Sequence, residues 1–290
     1  MFEDMRSVPF TKMHGLGNDY IYFDCVDEPD IIGNPAETAR RLSDRHFGIG
    51  GDGIVLVLPD SDADFRMRMF NSDGSEAEMC GNAIRCVAKL LKDTGRAPEN
   101  AVDVKTGAGI LHIDIATNAD GSFEYATVDM GEPILDGPTI PVAVDSNPVA
   151  GLKIPLPDGT EIKATCVSMG NPHAVVFVDE ITDRDVLERG PAVETNPLFP
   201  NRINVEFAKI VSKNEIEMRV WERGAGETLA CGTGASATLV AAVLNGLTDR
   251  KATLKLLGGD LVVEWRERDN RVMMTGPAET AFRGTVELQA

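Results

Sequence analysis

The sequence predicts an α/β (α+β) protein of two similar domains, each a β-sheet curled around its own central helix. Three observations predict this fold: an internal repeat, a series of short strand-like segments, and two apolar helices that each follow a cysteine. The chain has 290 residues, of which 43% are hydrophobic, so either half can bury a core.

The internal repeat centres on two cysteine-containing segments. "RMFNSDGSEAEMCGN" (68–82) aligns with "RVWERGAGETLACGT" (219–233) at a constant offset of 151 residues, which places Cys80 over Cys231. The same signals half a chain length apart indicate two similar domains. We expect the two thiols to face each other across the interface between these halves.

A second pair of segments supports the same division. "GNDYIYFD" (17–24) and "GNPHAVVFVD" (170–179) lie 153 to 155 residues apart and keep the Gly-Asn step in common. The repeat therefore extends well upstream of the cysteines.

Most of the chain has the pattern of short strands. Apolar and polar residues alternate in segments that are bounded by Gly, Pro or Asp, which is typical of half-buried strands. The predicted strands are 19–26, 54–58, 64–70, 110–115, 124–130, 161–169, 174–179, 204–211, 215–221, 252–257 and 261–265.

Two helices are predicted directly after the repeated cysteines. The run after Cys80 is nearly all apolar, and the run from Ala235 to Leu244 is apolar on every face before it ends at Gly246. A helix that is apolar all round must be enclosed by other structure. Each helix is therefore expected at the centre of its own sheet.

The position of Cys80 and Cys231 before a helix favours reactivity. The first turn of a helix has unpaired N–H groups and the positive end of the dipole, which lower the pKa of a thiol and favour the reactive thiolate. Cys25, Cys86 and Cys166 have no such setting, and we expect them to be small buried hydrophobes.

Composition disfavours several classes of protein. A net charge of −18 without a basic patch argues against nucleic-acid binding. The N-terminal segment lacks the pattern of a signal peptide, and no run of about 18 apolar residues could span a membrane. Five cysteines without C-x-x-C spacing argue against a disulfide framework or zinc site and favour a reducing cytoplasm.

The segment "GIGGDG" (48–53) matches the dinucleotide-binding fingerprint. A dinucleotide site needs a strand before this motif and a helix after it. Here a helix capped by Asn-Pro (about 35–46) precedes the motif and a strand follows it. A helix-to-strand turn is therefore the favoured interpretation, and cofactor binding is the alternative.

Three polar residues of the second half allow a structural or a functional interpretation. His173 is either a hydrogen-bonded core residue or a site residue held by the Gly-Asn-Pro turn. Glu222 and Arg223 are either a solvated ion pair, worth little, or a carboxylate and a guanidinium that hold an ammonium and a carboxylate beside the thiol. They align with Asn71 and Ser72, so the repeat diverges here, as a substrate with two unlike ends would require.

Taken together, these motifs resemble the diaminopimelate epimerase family, whose members interconvert LL- and meso-2,6-diaminopimelate without a cofactor. The resemblance covers nearly the whole chain and rests on "KMHGLGNDYI", "RMFNSDGSEAEMCGNAIRC", "VSMGNPHAVVFV", "INVEFAKI" and "VWERGAGETLACGTGASA". It implies two domains, each a barrel-like mixed β-sheet wrapped around a central helix, with the active site in the cleft between them. The implied domains are 1–130, with a returning strand in 278–290, and 131–277.

The resemblance also implies roles for individual residues. Cys80 and Cys231 look like the two acid/base thiols. The helix-start positions whose amides hold the reacting carboxylate would be Gly81, Asn82, Gly232 and Thr233. The contacts to the substrate's amino and carboxyl groups would be Asn18, Asn71, Asn171, Asn204, Glu222 and Arg223, and the residues that tune the thiol pKa would be His173 and Glu222. Gly53 departs from the family, in which Gln often follows the Asp at this point, so a side-chain contact there is in doubt.

The resemblance further implies a small-molecule substrate, no cofactor, no metal and a homodimer, in the biosynthesis of lysine and peptidoglycan precursors. Three alternatives remain open. A proline or hydroxyproline racemase shares the fold and the two-thiol chemistry, and a phenazine-type isomerase shares the fold alone. From a different class, a redox protein would use the two cysteines as a reversible disulfide.

Overall fold

The structure is a computed structural model that describes residues 5–97 and 99–289. The chain forms two compact units: unit 1 is Met1–Val128 with Gly276–Ala290, and unit 2 is Asp129–Thr275. In the part of the chain that is described, no helix has the length and apolar character needed to cross a membrane.

Eighteen strands and four α-helices make up the described part of the two units. The elements of the first half are β1 (Met5–Gly15), β2 (Asn18–Asp24), α1 (Pro35–Ser43), β3 (Gly53–Leu58), β4 (Phe65–Asn71), β5 (Glu76–Ala77), α2 (Gly81–Asp93), β6 (Ala101–Thr106), β7 (Gly109–Thr117) and β8 (Phe123–Asp129). Those that follow are β9 (Val149–Pro155), β10 (Glu161–Ser168), β11 (Pro172–Phe177), α3 (Gly190–Glu194), β12 (Asn204–Ser212), β13 (Glu215–Glu222), β14 (Gly226–Thr228), α4 (Gly232–Leu244), β15 (Lys251–Leu256), β16 (Gly259–Trp265), β17 (Val272–Gly276) and β18 (Glu279–Gln289). A π-helical segment, Arg184–Arg189, leads into α3.

The sheet of unit 1 is mixed. Its strands pair in the order β18-β1-β2-β3-β4-β6-β7-β8, with β5 forming a short hairpin on β4. The pairs β2–β3 and β4–β6 are parallel, and the others are antiparallel. The C-terminal strand β18 thus returns to the first unit beside β1.

Unit 2 repeats this topology strand for strand. Its order is β9-β10-β11-β12-β13-β15-β16-β17, with β14 as the hairpin on β13. The parallel pairs, β11–β12 and β13–β15, occupy the positions of the parallel pairs in unit 1. The predicted fold class, α/β with two similar halves and mixed sheets, is confirmed.

Each unit has a helix at its centre, as predicted. Helix α2 packs against β1, β2 and β7, whereas α4 packs against β10, β11, β12, β15 and β16. From Gly232 to Ala242 every residue of α4 except Thr233 is buried, so the helix that is apolar on all faces is enclosed. Helix α4 ends at Leu244, and Gly246 follows with a φ of 68°, a left-handed conformation that glycine adopts readily.

Two sequence-based expectations need correction. Helix α1 ends at Ser43 rather than near residue 46, because Asp44 is extended (ψ 122°) and its carboxylate accepts hydrogen bonds from the N–H groups of His46 and Phe47. Strands β1, β5, β6, β9, β14 and β17 and helix α3 were not predicted. In β1, Pro9 lies inside the strand and interrupts the pattern by which strands are recognised.

The "GIGGDG" segment lies between α1 and β3, so its prediction as a helix-to-strand turn is confirmed. The N–H groups of Ile49 and Gly50 both donate to the carbonyl of Leu42, and Gly50 has a φ of 83°. The order of elements is the reverse of a dinucleotide site.

Candidate active site

The two repeated cysteines stand on the same local scaffold. In each unit a short hairpin, β4–β5 or β13–β14, leads into the cysteine and then into the central helix. The hairpins are braced by equivalent ion pairs: Arg68 Nε lies 2.7 Å from Glu76 Oε1, and Arg219 Nε lies 2.7 Å from Glu227 Oε1. The sequence repeat therefore encodes a repeated structural element.

Cys80 is the N-cap residue of α2 and has an extended backbone (φ −141°, ψ 121°). Its half-buried thiol donates a hydrogen bond to Asn18 Oδ1 at 3.3 Å. The amide group of Asn18 in turn donates to Asp52 Oδ2 at 2.7 Å. The structure thus brings together Cys80 and Asn18, two of the predicted site residues.

Cys231 is the N-cap residue of α4 and has a similar backbone (φ −121°, ψ 112°). Its sulfur accepts a hydrogen bond from the N–H of Gly234 at 3.4 Å and lies 3.4 Å from Thr233 Oγ1. Only 6% of the residue is exposed. Unlike Cys80, this thiol is enclosed by the protein.

The expected lowering of the thiol pKa is wrong for Cys231. Burial raises the pKa of Cys231 well above its ordinary value, and the nearby carboxylates of Glu222 and Glu206 raise it further. The hydrogen bonds from Thr233 and Gly234 act in the opposite direction but are the smaller influences. Desolvation and like charge therefore outweigh the helix N-terminus at this thiol.

Two carboxylates, those of Glu206 and Glu222, lie near Cys231, and His173 interacts with both of them. We call Glu206, Glu222 and His173 the carboxylate cluster. Burial raises the pKa of Glu222, which accepts a hydrogen bond from the hydroxyl of Thr228. Glu206 is fully buried on β12, and its Oε1 lies 2.7 Å from His173 Nδ1. Its other oxygen, Oε2, has no hydrogen-bond partner among the described residues. A buried carboxylate is thus held beside the thiol.

His173 is both a buried, hydrogen-bonded residue and a member of the cluster. It lies within β11 rather than before it, and its side chain is completely buried. Its second ring nitrogen, Nε2, lies 3.0 Å from Asn171 Oδ1. The structure therefore groups His173, Asn171 and Glu222 in the same part of unit 2.

Asn204 and Arg223 lie together at the ends of neighbouring strands. Asn204 donates to the carbonyl of Pro172 at 2.8 Å and accepts a hydrogen bond from the backbone N–H of Arg223 at 2.9 Å. The exposed guanidinium of Arg223 donates to the carbonyl of Asn201 at 3.0 Å. Glu222 and Arg223 point to separate partners, so they do not form the solvated ion pair that was one of the two interpretations.

The remaining predicted site residues of unit 1 are in the same hairpin and helix start. Asn71 ends β4 and donates to Ser75 Oγ at 3.0 Å, which closes the hairpin. Asn82 is buried in the first turn of α2, and its Oδ1 accepts a hydrogen bond from Arg85.

The first residues of the two central helices have the same arrangement. Gly81 and Asn82 begin α2, and Gly232 and Thr233 begin α4. The first helical hydrogen bonds come only after these residues, from Ile84 to the carbonyl of Cys80 and from Ala235 to that of Cys231. The N–H groups of a first helical turn have no acceptor within the helix, so each turn offers donors to an anion.

Two buried charged residues were not predicted from the sequence. Arg85 lies inside α2 and is fully buried; it donates to the carbonyls of Gly81 and Pro277 at 2.9 and 3.1 Å. Glu206, on β12 of unit 2, is also fully buried. The available signal was a charged residue in an otherwise apolar helix or strand, in "NAIRCVAKLL" and "INVEFAKI".

Gly53, the departure from the family pattern, has no room for a side chain. A Cβ atom at this position would lie 2.0 Å from the carbonyl oxygen of Phe70 and 2.9 Å from the Tyr20 ring. The contact that a glutamine could make is therefore missing from this chain.

The other three cysteines are fully buried, as predicted. Burial raises the pKa of Cys25 and of Cys166 to about 12 and that of Cys86 to about 11. These thiols stay protonated near neutral pH and behave as small hydrophobes.

Comparison with known proteins gives both a sequence family and a fold. The family model for diaminopimelate epimerase matches residues 10–135 and 165–281. A protein of Acetivibrio thermocellus named diaminopimelate epimerase is 57% identical over 279 residues, which is 96% of this chain and 98% of that protein.

Two solved structures with low sequence identity share the fold. A hydroxyproline epimerase from Agrobacterium vitis has a TM-score of 0.68 at 18% identity and covers 98% of this chain and 94% of its own. A phenazine biosynthesis protein of the PhzF family from Bacillus anthracis has a TM-score of 0.67 at 18% identity, with 97% and 99% covered. The fold is thus common to the alternative families, whereas the sequence match separates them: the chain belongs to the diaminopimelate epimerase family.

Proposed function

We propose that this chain is an isomerase that interconverts LL- and meso-2,6-diaminopimelate with Cys80 and Cys231 as its two acid/base groups. The observation that carries this proposal is structural: in two units of the same topology, a cysteine caps the central helix directly after an ion-paired hairpin. The family match supports the substrate.

Inversion of a carbon stereocentre requires removal of the α-proton on one face and delivery of a proton on the other. A thiolate takes the α-proton, the bond electrons move onto the carboxylate as an enediolate, and the second thiol gives its proton to the opposite face of the carbon. The first cysteine is then a thiol and the second a thiolate. The same pair can therefore run the reverse reaction, provided that both sulfurs reach the same carbon.

The carboxylate at the reacting carbon is proposed to bind at the two helix starts. The N–H groups of Gly81 and Asn82, and those of Gly232 and Thr233, precede the first hydrogen bonds of their helices. Donors of this kind, together with the positive ends of two helix dipoles, stabilise negative charge as it develops on the enediolate. This stabilisation would take the place of an electron-sink cofactor, so we expect activity without one.

The carboxylate cluster is proposed to move the proton of Cys231. This thiol must lose a proton before it can act as a base, and its raised pKa makes that costly without a partner. Burial also raises the pKa of Glu222, which makes its carboxylate a better proton acceptor than an exposed one. His173, held by Glu206, lies beside it. Glu222 and His173 thus fit the role of tuning residues.

The distal end of the substrate is proposed to bind where the two halves of the sequence differ. Arg223, whose guanidinium is exposed, would hold the distal carboxylate, and Glu222 would help to bind the distal ammonium. The amide side chains of Asn18, Asn71, Asn171 and Asn204 would contact the amino and carboxyl groups of the substrate. Proline has no second charged end, so this set favours diaminopimelate over a proline substrate.

A turnover assay with LL-diaminopimelate beside L-proline and trans-4-hydroxy-L-proline tests the proposal. Formation of meso-diaminopimelate without racemisation of the imino acids is the expected result. Racemisation of proline alone would show that the chain is a proline racemase. No turnover, with a Cys80–Cys231 disulfide that forms and is reduced reversibly, would favour the redox protein.

The setting of the reaction is also a proposal. We expect a cytoplasmic enzyme of lysine and peptidoglycan precursor biosynthesis, since all five cysteines are free thiols. The homodimer rests on the family resemblance, and light scattering on the purified protein would test it.

A further inference from the structure

The Gly-rich turn between α1 and β3 ends in a carboxylate that contacts a proposed site residue. Asp52 Oδ2 accepts hydrogen bonds from Asn18 Nδ2 at 2.7 Å and from the backbone N–H of Asp19 at 3.1 Å. Its other oxygen, Oδ1, lies 2.9 Å from Arg45 Nη2. Asp52 is not one of the predicted site residues and takes no part in the proposed chemistry.

A carboxylate fixes the orientation of the amide that it contacts. An ionised carboxylate only accepts hydrogen bonds, so Asn18 must turn its NH₂ group toward Asp52. The carbonyl oxygen of Asn18 then faces the sulfur of Cys80, which lies 3.3 Å away. A carbonyl oxygen accepts a hydrogen bond from a thiol but repels a thiolate, so this orientation favours the protonated form of Cys80.

Asp52 is itself held in place by a network of charges. Arg45 bridges Asp52 and Asp19, with its Nη2 lying 2.7 Å from Asp19 Oδ1. The buried ammonium of Lys12 lies 2.5 Å from Asp19 Oδ2 and 2.5 Å from the carbonyl of Gly50. Asp52 is therefore one member of an ion-paired network that connects the Gly-rich turn to β1 and β2.

The glycines of the turn make this network possible. A Cβ atom at Gly51 would lie 2.6 Å from Lys12 Nζ and 3.0 Å from the Asp19 carbonyl oxygen, so a side chain there would displace the Lys12 ammonium from this network. Gly50 has a φ of 83°, a conformation that side chains disfavour. The motif that resembles a dinucleotide fingerprint thus folds the chain so that Asp52 meets Asn18.

Unit 2 holds the equivalent asparagine by a different device. Asn171, which aligns with Asn18, has its Oδ1 atom 3.0 Å from His173 Nε2, and Glu206 lies on the other side of the imidazole. A carboxylate therefore stands behind the asparagine in both units, directly in unit 1 and through a histidine in unit 2.

We propose that Asp52 is a positioning residue that acts on Cys80 through Asn18: it holds the Asn18 carbonyl against the sulfur and thereby keeps Cys80 a thiol until it donates its proton to the substrate. This inference rests on the proposed function, in which Cys80 must begin one direction of the reaction as a proton donor. It gives the Gly-rich turn a role in the site other than dinucleotide binding.

Arg85, Cys86 and Tyr22 also interact electrostatically with Cys80. Arg85, buried in α2, attracts the sulfur of Cys80 electrostatically, as it does Cys86 and Tyr22. Burial raises the pKa of Cys86 to about 11 and that of Tyr22 well above its ordinary value, so both stay neutral near pH 7. Near neutral pH the buried guanidinium thus favours the thiolate of Cys80, whereas the Asn18 carbonyl favours the thiol.

The test is the pH dependence of Cys80 alkylation by iodoacetamide, read at the Cys80 peptide by mass spectrometry, in wild-type protein and in Asp52→Ala. Without the carboxylate, the Asn18 amide is free to turn its NH₂ group toward the sulfur. We expect the pH of half-maximal alkylation to fall by about half a unit or more, the size of one hydrogen bond's effect. In the same variant kcat/KM for diaminopimelate should fall about tenfold, mainly through kcat.

Two further variants distinguish an effect of Asp52 on the Asn18 amide from a general loosening of the turn. Asp44→Ala removes a carboxylate just before the same turn, which accepts hydrogen bonds from the N–H groups of His46 and Phe47, and it should keep the wild-type alkylation profile. In an Asn18→Leu background, Asp52→Ala should shift the alkylation profile no further, because Asp52 can no longer act on the sulfur through the Asn18 amide.

An unchanged alkylation profile in Asp52→Ala, an equal shift in Asp44→Ala, or a full shift in the Asn18→Leu background would each overturn the inference. Alkylation does not depend on turnover. Failure of the proposed function would instead appear as wild-type protein that does not convert LL-diaminopimelate.

Discussion

The two cysteine turns share a scaffold but differ in the charges around the sulfur. In unit 1 the thiol is half-buried, and a buried guanidinium lies in the helix that follows it. In unit 2 the thiol is enclosed and stands beside two carboxylates. The aligned positions that carry this difference are Arg85 with Ser236, Val55 with Glu206, Tyr20 with His173, and Asn71 with Glu222.

The two halves share the backbone elements that position the sulfur, but they differ in the charged side chains around it. The Arg–Glu pair of the hairpin, the extended N-cap backbone and the helix start are the same in both units. Even where the side chains differ, Arg85 and Ser236 both donate to the carbonyl at the first position of their helix. Equal geometry suits the removal of a proton on one face of a carbon and the delivery of another on the opposite face, and unequal charge suits a substrate with two unlike ends.

Removal of either thiol should have the largest effect on activity, because the cysteine is the proposed acid/base group that both units share. We expect Cys80→Ala and Cys231→Ala each to lower kcat about a thousandfold or more, since general acid/base groups contribute roughly 10²–10⁴. Steady-state assays in both reaction directions measure this. Cys25→Ala changes a fully buried cysteine of unit 1 that is not among the predicted site residues, and as the matched control it should stay active. A tenth of wild-type activity in either single variant would contradict a two-thiol mechanism.

Removal of the guanidinium at the point of divergence should have the next largest effect. Arg223→Met would leave the distal carboxylate of the substrate without its partner, a cost of roughly 2–5 kcal/mol. We expect kcat/KM for diaminopimelate to fall by about two to three orders of magnitude with little change in thermal stability.

The control for this variant is Arg202→Met, because Arg202 is also exposed but pairs with Glu194. It should lower kcat/KM by less than about threefold, since an exposed ion pair contributes little. Near-wild-type kinetics in a well-folded Arg223→Met protein would show that the distal end binds elsewhere.

The smallest expected effect is on stability at high pH, and it concerns the three buried cysteines that lie outside the two cysteine turns. The folded-state pKa values of Cys25, Cys86 and Cys166, about 12, 11 and 12, lie above the unfolded value of about 8.5. Their contribution to stability is thus complete below about pH 8.5 and is lost as the pH rises through 11 to 12. Each thiol should lower the free energy of unfolding by about 1.4 kcal/mol per pH unit in that window.

Urea unfolding at several pH values between 8 and 10.5 measures this slope. Cys166→Ala should have a shallower slope than wild-type protein, even if its stability at pH 8 is lower. The same slope in both proteins would mean that Cys166 titrates normally in the folded state.

The sequence was sufficient for the parts of the molecule that depend on local pattern. The repeat, the two enclosed helices and the turn at 48–53 were predicted because periodicity and chain order are visible in one dimension. Strand β1 was missed because Pro9 interrupts its pattern.

The charges of the site could not be predicted in the same way. Arg85 and Glu206 each look like an ordinary solvated residue until the fold buries them. The predicted direction of the Cys231 pKa shift was wrong for the same reason, because desolvation depends on neighbours that are distant in sequence.

The most direct test of the account is the fate of solvent deuterium during the first turnovers. LL-diaminopimelate is incubated with the enzyme in deuterated water, the reaction is stopped below about a tenth of completion, and the label in each isomer is read by mass spectrometry. One thiol removes the proton, and the other, already exchanged with solvent, delivers deuterium. The meso product should therefore carry one deuterium, at the α-carbon that was inverted, and the recovered LL substrate should carry none. Unlabelled product, or equal label in product and recovered substrate, would show that a single base carries the proton and would contradict the two-thiol mechanism.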